Sequence, residues 1–409
     1  MEVSLSEKEL CNVLGLKSLF VEFQPIFCIG SRKIIGVEAL LRGLSLNGTT
    51  IYPYTLFNIA QNKGLRLELD VFARKRAFKE FKEKFLKYKD LILFFNFDAS
   101  ILDLPGEYSW KIHSLAQEVG LPPEKIVIEV IETKVKNFKA LKSFVEFYKS
   151  KGFLIALDDV GIEYSNLSRI PPLKPDFLKI DKELIYGIER DEYKSKLIKA
   201  LANLAKEIGS FTIAEGVEKE IEILTTLELG INFHQGFLLG KPFSAEQVTI
   251  SKLCKEMEIL KNKFSSYFKL QVLRKKKLYN KFKNFIEEFS KKLSKVENFS
   301  KLENELKKVL HSYKFIHGCY VVDMKGCLLT DIILHTHTHT HTHRLPIFYK
   351  KGDNLCFYDY ICYLLSQEFE VFVSEPYIHP VSKRRVFTIS KVFSLKTGER
   401  NILCMDFFI

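Results

Sequence analysis

The chain has 409 residues, 46% of them hydrophobic, which is enough for two or three domains with a substantial core. Its net charge of +12 is concentrated in residues 251–320, where 18 Lys or Arg stand against 7 Asp or Glu, a local balance of +11 (18 − 7). The rest of the chain is nearly neutral, and no zinc-finger spacing or RNA-binding aromatic signature is present, so these features argue against a nucleic-acid partner.

The apolar segments are too short for a membrane protein. No stretch approaches the roughly 18 consecutive apolar residues of a membrane span, and the first residues, MEVSLSEKEL, lack a signal-peptide pattern. The eight cysteines form no CxxC pair and no framework spacing. We therefore expect reduced thiols in a cytoplasmic protein without membrane insertion.

Strands and helices alternate from about residue 18 to residue 244. The helix-like segments, such as DVFARKRAFKEFKEKFLK and YKSKLIKALANLAKEIG, place apolar residues at helical spacing. The alternation predicts parallel βαβ units, and about eight units predict an α/β fold with a closed TIM-type (β/α)8 barrel, assigned to residues 1–248. The predicted strands are VEFQPIFCI, KIIGVEALL, LILFFNF, IVIEVIE, FLIALDD, FLKID, FTIAEG and FHQGFLLG.

Residues 249–315 are predicted to form a basic helical linker. An apolar stripe comprises Leu253, Met257, Leu260, Phe264 and Phe268. It fits either a connecting helix packed on its own barrel or a coiled-coil-like contact in a homodimer.

Residues 316–409 have a different pattern, which predicts a smaller α+β domain with an antiparallel sheet. Hairpin-type turns are expected at Lys325-Gly326 and Thr397-Gly398. The tract HTHTHTHTH, from His335 to His343, could align five imidazoles for a transition metal, or it could be a tolerated repeat in a surface loop.

Polar residues end most of the predicted barrel strands. In such barrels the catalytic groups lie at the C-terminal strand ends, although any one of these acids could instead be a helix N-cap or a surface residue. Oxygen ligands suit Mg²⁺ or Mn²⁺, and two cations roughly 3.5–4 Å apart support phosphoester cleavage. The set consists of Glu38, Asn96, Glu129, Asp158, Asp159 and Glu215, with Lys179 and Gln235 beside them.

The order of these motifs resembles the EAL-domain cyclic di-GMP phosphodiesterases over about residues 15–248. The matching elements are Gln24-Pro25-Ile26, Glu38-Ala39-Leu40 with Arg42, Asn96, Glu129-Val-Ile-Glu132, Asp158-Asp159, Asp176-Phe-Leu-Lys179-Ile-Asp181, Ala214-Glu215-Gly-Val-Glu218 and Gln235-Gly236. The resemblance implies hydrolysis of cyclic di-GMP to linear pGpG.

The resemblance also implies a role for each residue. Glu38, Asn96, Glu129 and Asp158 would bind one metal ion and Asp159 a second, with Glu215 serving the metal–water cluster. Lys179 would orient the hydrolytic water, and Glu38, Lys179 and Glu215 would together form the catalytic group. Gln24 and Arg42 would contact the dinucleotide, Gln235 would support the site beside the substrate, and Glu132 would anchor the loop after Asp159.

One loop departs from the family pattern. The family usually has Asp-Phe-Gly-Thr-Gly-Tyr-Ser-Ser, whereas this chain has Asp159-Val-Gly-Ile-Glu163-Tyr-Ser-Asn166. Glycine reaches positive φ freely, and Glu163 does so only at a cost. The family uses this loop to position the second metal and to couple activity to dimerisation, so the departure leaves open whether hydrolysis is retained. Two alternatives to the hydrolysis of cyclic di-GMP stay open. One is a non-catalytic cyclic di-GMP receptor that signals to a partner, and the other is a barrel enzyme for a different phosphodiester.

The segment from Ser374 to Phe393 resembles the last strands of PAS-like sensor domains. The resemblance implies a regulatory C-terminal domain that takes an unknown ligand or protein partner. The alternative to a ligand-binding role is that the aromatic residues of this segment only fill the core of the domain.

Overall fold

A computed structural model describes residues 6–31, 33–103, 111–131, 135–161, 167–244, 250–335, 349–366, 369–380 and 382–408. Within these ranges the side chains of residues 250–263, 268 and 299 are not described. The chain divides into two compact units, Met1–Ser266 and Tyr267–Ile409.

The first unit contains the predicted alternation of strands and helices. Its strands are β1 (Leu16–Cys28), β2 (Lys33–Ser45), β3 (Thr50–Ile51), β4 (Ile92–Phe97), β5 (Ile126–Val130), β6 (Leu154–Val160), β7 (Phe177–Ile180), β8 (Phe211–Ala214) and β9 (Phe233–His234). Its helices are α1 (Glu7–Leu14), α2 (Pro53–Asn62), α3 (Arg66–Lys84), α4 (Lys111–Val119), α5 (Phe138–Ser150), α6 (Ile170–Leu173), α7 (Lys182–Ile185), α8 (Glu192–Ile208) and α9 (Glu220–Glu228).

Eight of these strands close into a barrel. The order is β1-β2-β4-β5-β6-β7-β8-β9, with β9 pairing back to β1, while β3 pairs only with β2. The TIM-type fold class is therefore confirmed. The expectation of parallel units throughout is wrong for β1, which is antiparallel to both β2 and β9. The physical reason is the short connection between Cys28 and Lys33, which permits a hairpin but no helical crossover.

The helices begin and end at local sequence signals. In α8, Asp191 is the N-cap and its carboxylate accepts hydrogen bonds from the backbone N–H groups of Tyr193 and Lys194. The helix ends at Gly209, whose φ of 76° is accessible to glycine without strain. Ile198, Leu201 and Ala205 are buried at helical spacing, so one face of α8 covers the barrel as its periodicity predicts.

One layer of apolar side chains fills the barrel interior. It consists of Ile26, Phe94, Val127, Ala156, Phe177 and Ile213, contributed by six different strands. At the corresponding position of β2 the chain has Gly36, where an added Cβ would lie 2.6 Å from Phe94 Cε2. The Phe94 ring therefore occupies the space that any larger residue at position 36 would need.

The second unit contains the antiparallel sheet that the sequence predicts. Its order is β11-β10-β15-β14-β12, with β13 paired to β14, and the strands are β10 (Ile316–Asp323), β11 (Ile333–Leu334), β12 (Val371–Val373), β13 (Tyr377–Ile378), β14 (Arg385–Ser394) and β15 (Arg400–Phe408). The predicted turns contain Gly326 (φ 84°) and Gly398 (φ 81°). The helices are α10 (Ile250–Leu293), α11 (Phe299–Ser312) and α12 (Asp359–Leu365).

Both faces of this sheet are covered, because alternate residues along a strand face opposite sides. Val321, Leu403 and Met405 pack with residues of α10 and α11. Val322, Ile402 and Cys404 pack with residues of α12.

The division between the two units lies within α10. Phe282 and Ile286 of α10, with Leu302 and Leu306 of α11, belong to the same core as the sheet. The helical segment therefore supplies one wall of the C-terminal core, because its apolar stripe covers a sheet face that water would otherwise contact.

No helix in the described part of the chain combines the length and the apolar character needed to span a bilayer. The cysteines whose side chains are described are all free thiols.

Candidate active site

Four carboxylates surround the buried ammonium group of Lys179. The Lys179 side chain comes from β7 and is only 1% exposed. Its Nζ lies 2.7 Å from Glu215 Oε1, 2.8 Å from Glu129 Oε1, 3.4 Å from Asp158 Oδ1 and 3.5 Å from Glu38 Oε2. The acids that end separate predicted strands therefore meet in one place, which we call the carboxylate ring.

Strand alternation aims these side chains into the barrel. Residues two apart on a strand face the same side, and Val127, Ala156 and Phe177 of the apolar layer each stand two residues before a member of the site. Those members are Glu129, Asp158 and Lys179, and the same offset relates Phe94 to Asn96 and Ile213 to Glu215. The site is thus the next layer above the apolar layer, at the C-terminal ends of the parallel strands.

A β-bulge changes the direction of the chain at Asp158 and Asp159. The pairing of β6 with β7 shifts register between Leu157 and Val160, and Asp159 has φ of 55°. Consecutive residues of a regular strand face opposite sides, whereas a bulge re-aims a side chain. Oxygen atoms of Asp158, Asp159 and Glu215 consequently all lie within 4.8 Å of one another. The sequence indicated the pair of acids but not this geometry.

Amide side chains fix the orientation of Glu38. Gln235 Nε2 donates to Glu38 Oε2 at 2.7 Å and to Gln24 Oε1 at 3.1 Å. Asn96 Nδ2 donates to Glu38 Oε1 at 2.8 Å. Gln24 faces Glu38 across the β1–β2 ladder, so the antiparallel first strand brings its amide into the site. Both oxygens of Glu38 are therefore held by hydrogen bonds, one from Asn96 on β4 and one from Gln235 directly after β9.

Burial and mutual repulsion perturb the ionisation of the ring. Burial, together with the neighbouring Glu38 carboxylate, raises the pKa of Glu129 well above its ordinary value. Burial likewise raises the pKa of Glu215 to about 8. Burial also acts to raise the pKa of Glu38, but the Lys179 ammonium and the two amides lower it below the ordinary value. Burial opposes the charge on Lys179, yet the four carboxylates outweigh it and raise the pKa of the ammonium well above its usual range.

The ring fits divalent cations. One ammonium cannot balance the charges of Glu38, Glu129, Asp158 and Glu215, with Asp159 close by. Glu129 Oε2 is buried and accepts no hydrogen bond from the described residues, so a ligand position is available on that carboxylate. Carboxylate and amide oxygens suit hard cations such as Mg²⁺, Mn²⁺ or Ca²⁺, and the ring lacks the Cys and His ligands that zinc prefers.

Arg42 pairs with Glu22, a residue outside the carboxylate ring. Arg42 Nε donates to Glu22 Oε2 at 2.8 Å, and its guanidinium lies 5.1 Å from the centre of the Tyr52 ring. Glu22 was not among the predicted site residues, although it stands two residues before Gln24 on β1, and this spacing puts both side chains on one strand face. Glu132 lies outside the described residues, as do residues 162–166 of the loop that departs from the family pattern.

A cavity of about 480 Å³ adjoins the ring at Asn96. Leu40, Phe57 and Phe95 are among its apolar lining residues, and the ion pairs Arg66–Asp98 and Arg74–Asp70 contribute its charged part. This volume is typical of small-molecule sites. No sequence pattern predicts the cavity, because most of its lining residues come from β2, α2, α3 and β4, and no spacing along the chain links these elements.

The fold and the site define an α/β barrel with a carboxylate site of the divalent-metal type at its C-terminal end. Residues 7–242 match the model of the EAL domain family, and the chain belongs to that family.

Known proteins are similar to this chain over different lengths. It is 30% identical over 258 residues to "Probable cyclic di-GMP phosphodiesterase PdeI" of Escherichia coli, which covers 61% of this chain and 32% of PdeI. The chain thus spans less than two thirds of the length of such curated relatives.

Two solved structures are also similar. The Bacillus subtilis YkuI protein, with an EAL domain and in complex with substrate c-di-GMP and calcium, has a TM-score of 0.78 and 21% identity, with 99% of each chain covered. This likeness supports the fold of both units. Klebsiella pneumoniae BlrP1, in a manganese and cyclic di-GMP complex, has a TM-score of 0.50 and 26% identity over 55% of this chain and 56% of that chain.

Proposed function

We propose that this protein hydrolyses cyclic di-GMP to linear pGpG in a reaction that requires divalent cations. The observation that carries the proposal is the carboxylate ring around Lys179, with Asp159 turned toward it by the bulge. The EAL family membership and the cyclic di-GMP named for the relatives and solved complexes support this substrate.

Two Mg²⁺ or Mn²⁺ ions are the proposed cofactors. Glu38, Asn96, Glu129 and Asp158 would hold the first ion, and Asp159 the second, with Glu215 near both. When bound, such ions stabilise charge on a phosphodiester and lower the pKa of a bound water. Ca²⁺ would fit the same oxygen ligands, but its larger size and looser geometry set it apart from Mg²⁺.

The chain's own residues orient the reactants. Lys179 would hold the attacking water beside the ring and keep a positive charge there, since its surroundings strongly favour the ammonium form. Gln235 and Asn96 keep the Glu38 carboxylate in one orientation through their hydrogen bonds. This fixed arrangement lowers the reorganisation required during the reaction.

The substrate would extend from the ring into the adjoining cavity. The cavity has room for a nucleobase, and its mixture of apolar walls and ion pairs suits the face and the polar edge of a guanine. Gln24 would contact the dinucleotide, and Arg42 would contact a phosphate through charge-assisted hydrogen bonds. Because Arg42 is already held by Glu22, its guanidinium needs little reordering on binding.

We further propose that the C-terminal α+β unit is a PAS-like sensor that regulates the barrel in a cytoplasmic homodimer. The sheet with helices on both faces and the resemblance of Ser374–Phe393 support this assignment. Ligand screening against this unit would identify the small molecule or protein that it binds.

The decisive experiment follows pGpG by chromatography after purified protein is incubated with cyclic di-GMP and either Mg²⁺ or Mn²⁺. We expect turnover with at least one metal and none after treatment with EDTA. Glu38→Ala should abolish turnover, because it removes the carboxylate that joins Lys179, Gln235 and Asn96. The matched control is Glu118→Ala, since the side chain of Glu118 is 63% exposed and pairs with Lys75 at the surface.

Binding without turnover, measured by calorimetry, would favour the receptor alternative. Glu163→Gly tests its cause, since glycine restores the family residue in the divergent loop. A rate increase in that variant would identify the loop as the limiting element. If neither binding nor turnover occurs, a different phosphodiester is the better hypothesis.

A further inference from the structure

A second group of metal-ligating side chains lies in the C-terminal unit. It consists of His317 on β10, His379 after β13 and Asp406 on β15. Ligand atoms of all three lie within 4.8 Å of one another, and the two imidazole rings are 4.3 Å apart between centroids. We call this group the His–His–Asp cluster.

A β-bulge places His317 in the cluster. In the β10–β15 ladder Ile316 pairs with Phe407 and Gly318 pairs with Asp406, so His317 is the extra residue between the two pairs. Bulges bend a strand locally and re-aim a side chain. Gly318 allows close packing beside the carboxylate, because a Cβ at that position would lie 2.7 Å from Leu334 Cδ2 and 3.5 Å from Asp406 Oδ2.

The carboxylate of Asp406 is oriented but its charge is not balanced. Oδ1 accepts hydrogen bonds from Thr388 Oγ1 at 2.7 Å and from Tyr377 OH at 3.3 Å. Asp406 is only 3% exposed, and in the described part of the chain no Lys or Arg forms an ion pair with it. A buried carboxylate without a cationic partner is costly, and either protonation or a bound cation removes that cost.

The imidazoles are also oriented by neighbouring groups. His317 Nε2 lies 2.7 Å from Ser382 Oγ, and the backbone N–H of Ser382 donates to His379 Nδ1 at 3.4 Å. His317 is fully buried, and its Nδ1 has no hydrogen-bond partner within the described ranges. Metal ligands commonly have such outer hydrogen bonds, whereas an orphaned buried nitrogen is rare without a ligand.

We propose that His317, His379 and Asp406 form a binding site for a divalent transition metal of the zinc type, with a coordination position left open. Two imidazoles and a carboxylate are ligands that Zn²⁺ accepts, whereas Mg²⁺ prefers oxygen alone. Around an ion at about 2.0–2.1 Å the ligand atoms are about 3.3 Å apart, so small side-chain rotations would close the cluster on the metal. The ion would link β10, β15 and the turn after β13.

The imidazoles of the histidine tract would compete for zinc, so its histidines are replaced before zinc binding is measured. His335, its first residue, donates its backbone N–H to His317 O at 2.8 Å, and the residues that follow it lie outside the described ranges. The parent protein for the test is therefore the full chain with His335, His337, His339, His341 and His343 changed to glutamine. Excess Mg²⁺ keeps zinc from the oxygen ligands of the carboxylate ring.

Zinc binding to this parent is measured by competition with a chromophoric chelator, and Co²⁺ absorption reports the coordination. We expect one zinc equivalent per chain, its loss in both His379→Gln and Asp406→Asn, and retention in His311→Gln, which changes an exposed histidine on α11. Thr388→Val should weaken binding about 10- to 100-fold, because it removes a hydrogen bond to a ligand.

Circular dichroism of the metal-free variants verifies that each one is folded like the parent. Zinc should raise the melting temperature of the parent and of His311→Gln, but not that of the two ligand variants. The proposal is overturned if the parent binds no zinc, or if folded His379→Gln and Asp406→Asn proteins both bind it with the parent's affinity.

Discussion

At the scale of single residues, Lys179 is the centre of the candidate active site. A lysine that is 1% exposed is stable there only because Glu38, Glu129, Asp158 and Glu215 surround it. Burial penalises each of these charges, and the attraction between the Lys179 ammonium and the carboxylates offsets part of the penalty. Any change in one partner therefore leaves another buried charge without compensation.

Lys179→Met tests this balance. We expect the metal-free barrel to lose about 3 kcal/mol of unfolding free energy, because the variant leaves buried carboxylates unpaired. The measurement is urea unfolding in EDTA. Lys75→Met is the control, since the Lys75–Glu118 pair is exposed and should contribute less than about 1 kcal/mol. Equal stability of Lys179→Met and the parent would contradict the buried-charge argument.

His234 gives the barrel a specific sensitivity to acid. The side chain is fully buried, its Nε2 lies 2.9 Å from Thr226 Oγ1, and burial lowers its pKa to about 3. In the unfolded chain the His234 side chain binds a proton near pH 6.5, whereas in the folded chain it stays neutral at that pH. The free energy of unfolding therefore falls by about 1.4 kcal/mol for each pH unit below pH 6.5.

Unfolding free energies of the parent and His234→Gln at pH 6.5 and pH 5 test this prediction. The parent should lose about 2 kcal/mol more than the variant over this interval. His311→Gln, on the exposed side of α11, should follow the parent. Parallel losses in the parent and in His234→Gln would show that another group causes the acid sensitivity.

At the scale of elements, the barrel strands place a polar layer above an apolar one. Alternation along each strand produces both layers. The packing of the apolar side chains therefore determines where the site residues two positions further along each strand are placed. Gly36 on β2 is the member without a side chain, and it stands two residues before Glu38. A change in packing at Gly36 should therefore shift Glu38, a member of the carboxylate ring.

Gly36→Ala should overpack the barrel. The new Cβ would lie 2.6 Å from Phe94 Cε2 and 2.9 Å from Ile92 O, and we expect a loss of about 1–3 kcal/mol in urea unfolding. Adding Phe94→Leu should recover part of the loss, because it removes the ring atoms that clash. Gly30→Ala is the matched control, since nothing lies within 4 Å of a Cβ there. If the two alanine variants lose the same stability, the close packing of Phe94 has no energetic effect.

At the scale of the whole molecule, each unit has buried apolar clusters of its own among the described residues. The apolar residues on both faces of the C-terminal sheet are covered by helices of the same unit, among them the second half of α10 and all of α11. A domain with its own core can fold alone. The helical segment between residues 267 and 315 is thus a structural part of this domain.

A pair of fragments tests that assignment. Residues 267–409 should fold alone with a cooperative thermal transition in circular dichroism. Residues 316–409 should not, because they expose the sheet face that Phe282, Ile286, Leu302 and Leu306 cover. Equal cooperativity in the two fragments would contradict the structural role of the helices.

The amino-acid sequence by itself determined the barrel class, its eight strands, the C-terminal antiparallel sheet and the residues of the carboxylate ring. These features depend on local periodicity and on where an apolar run ends, and both are encoded within short segments. The reversed direction of β1 was missed, although the four residues between Cys28 and Lys33 were a signal for a hairpin.

Only the tertiary structure decided which side chains meet. The bulge that turns Asp159 inward, the Glu22–Arg42 pair, the cavity beside Asn96 and the His–His–Asp cluster all depend on pairing between distant segments. Strand register and barrel closure set those distances, and neither is a property of any local stretch of sequence.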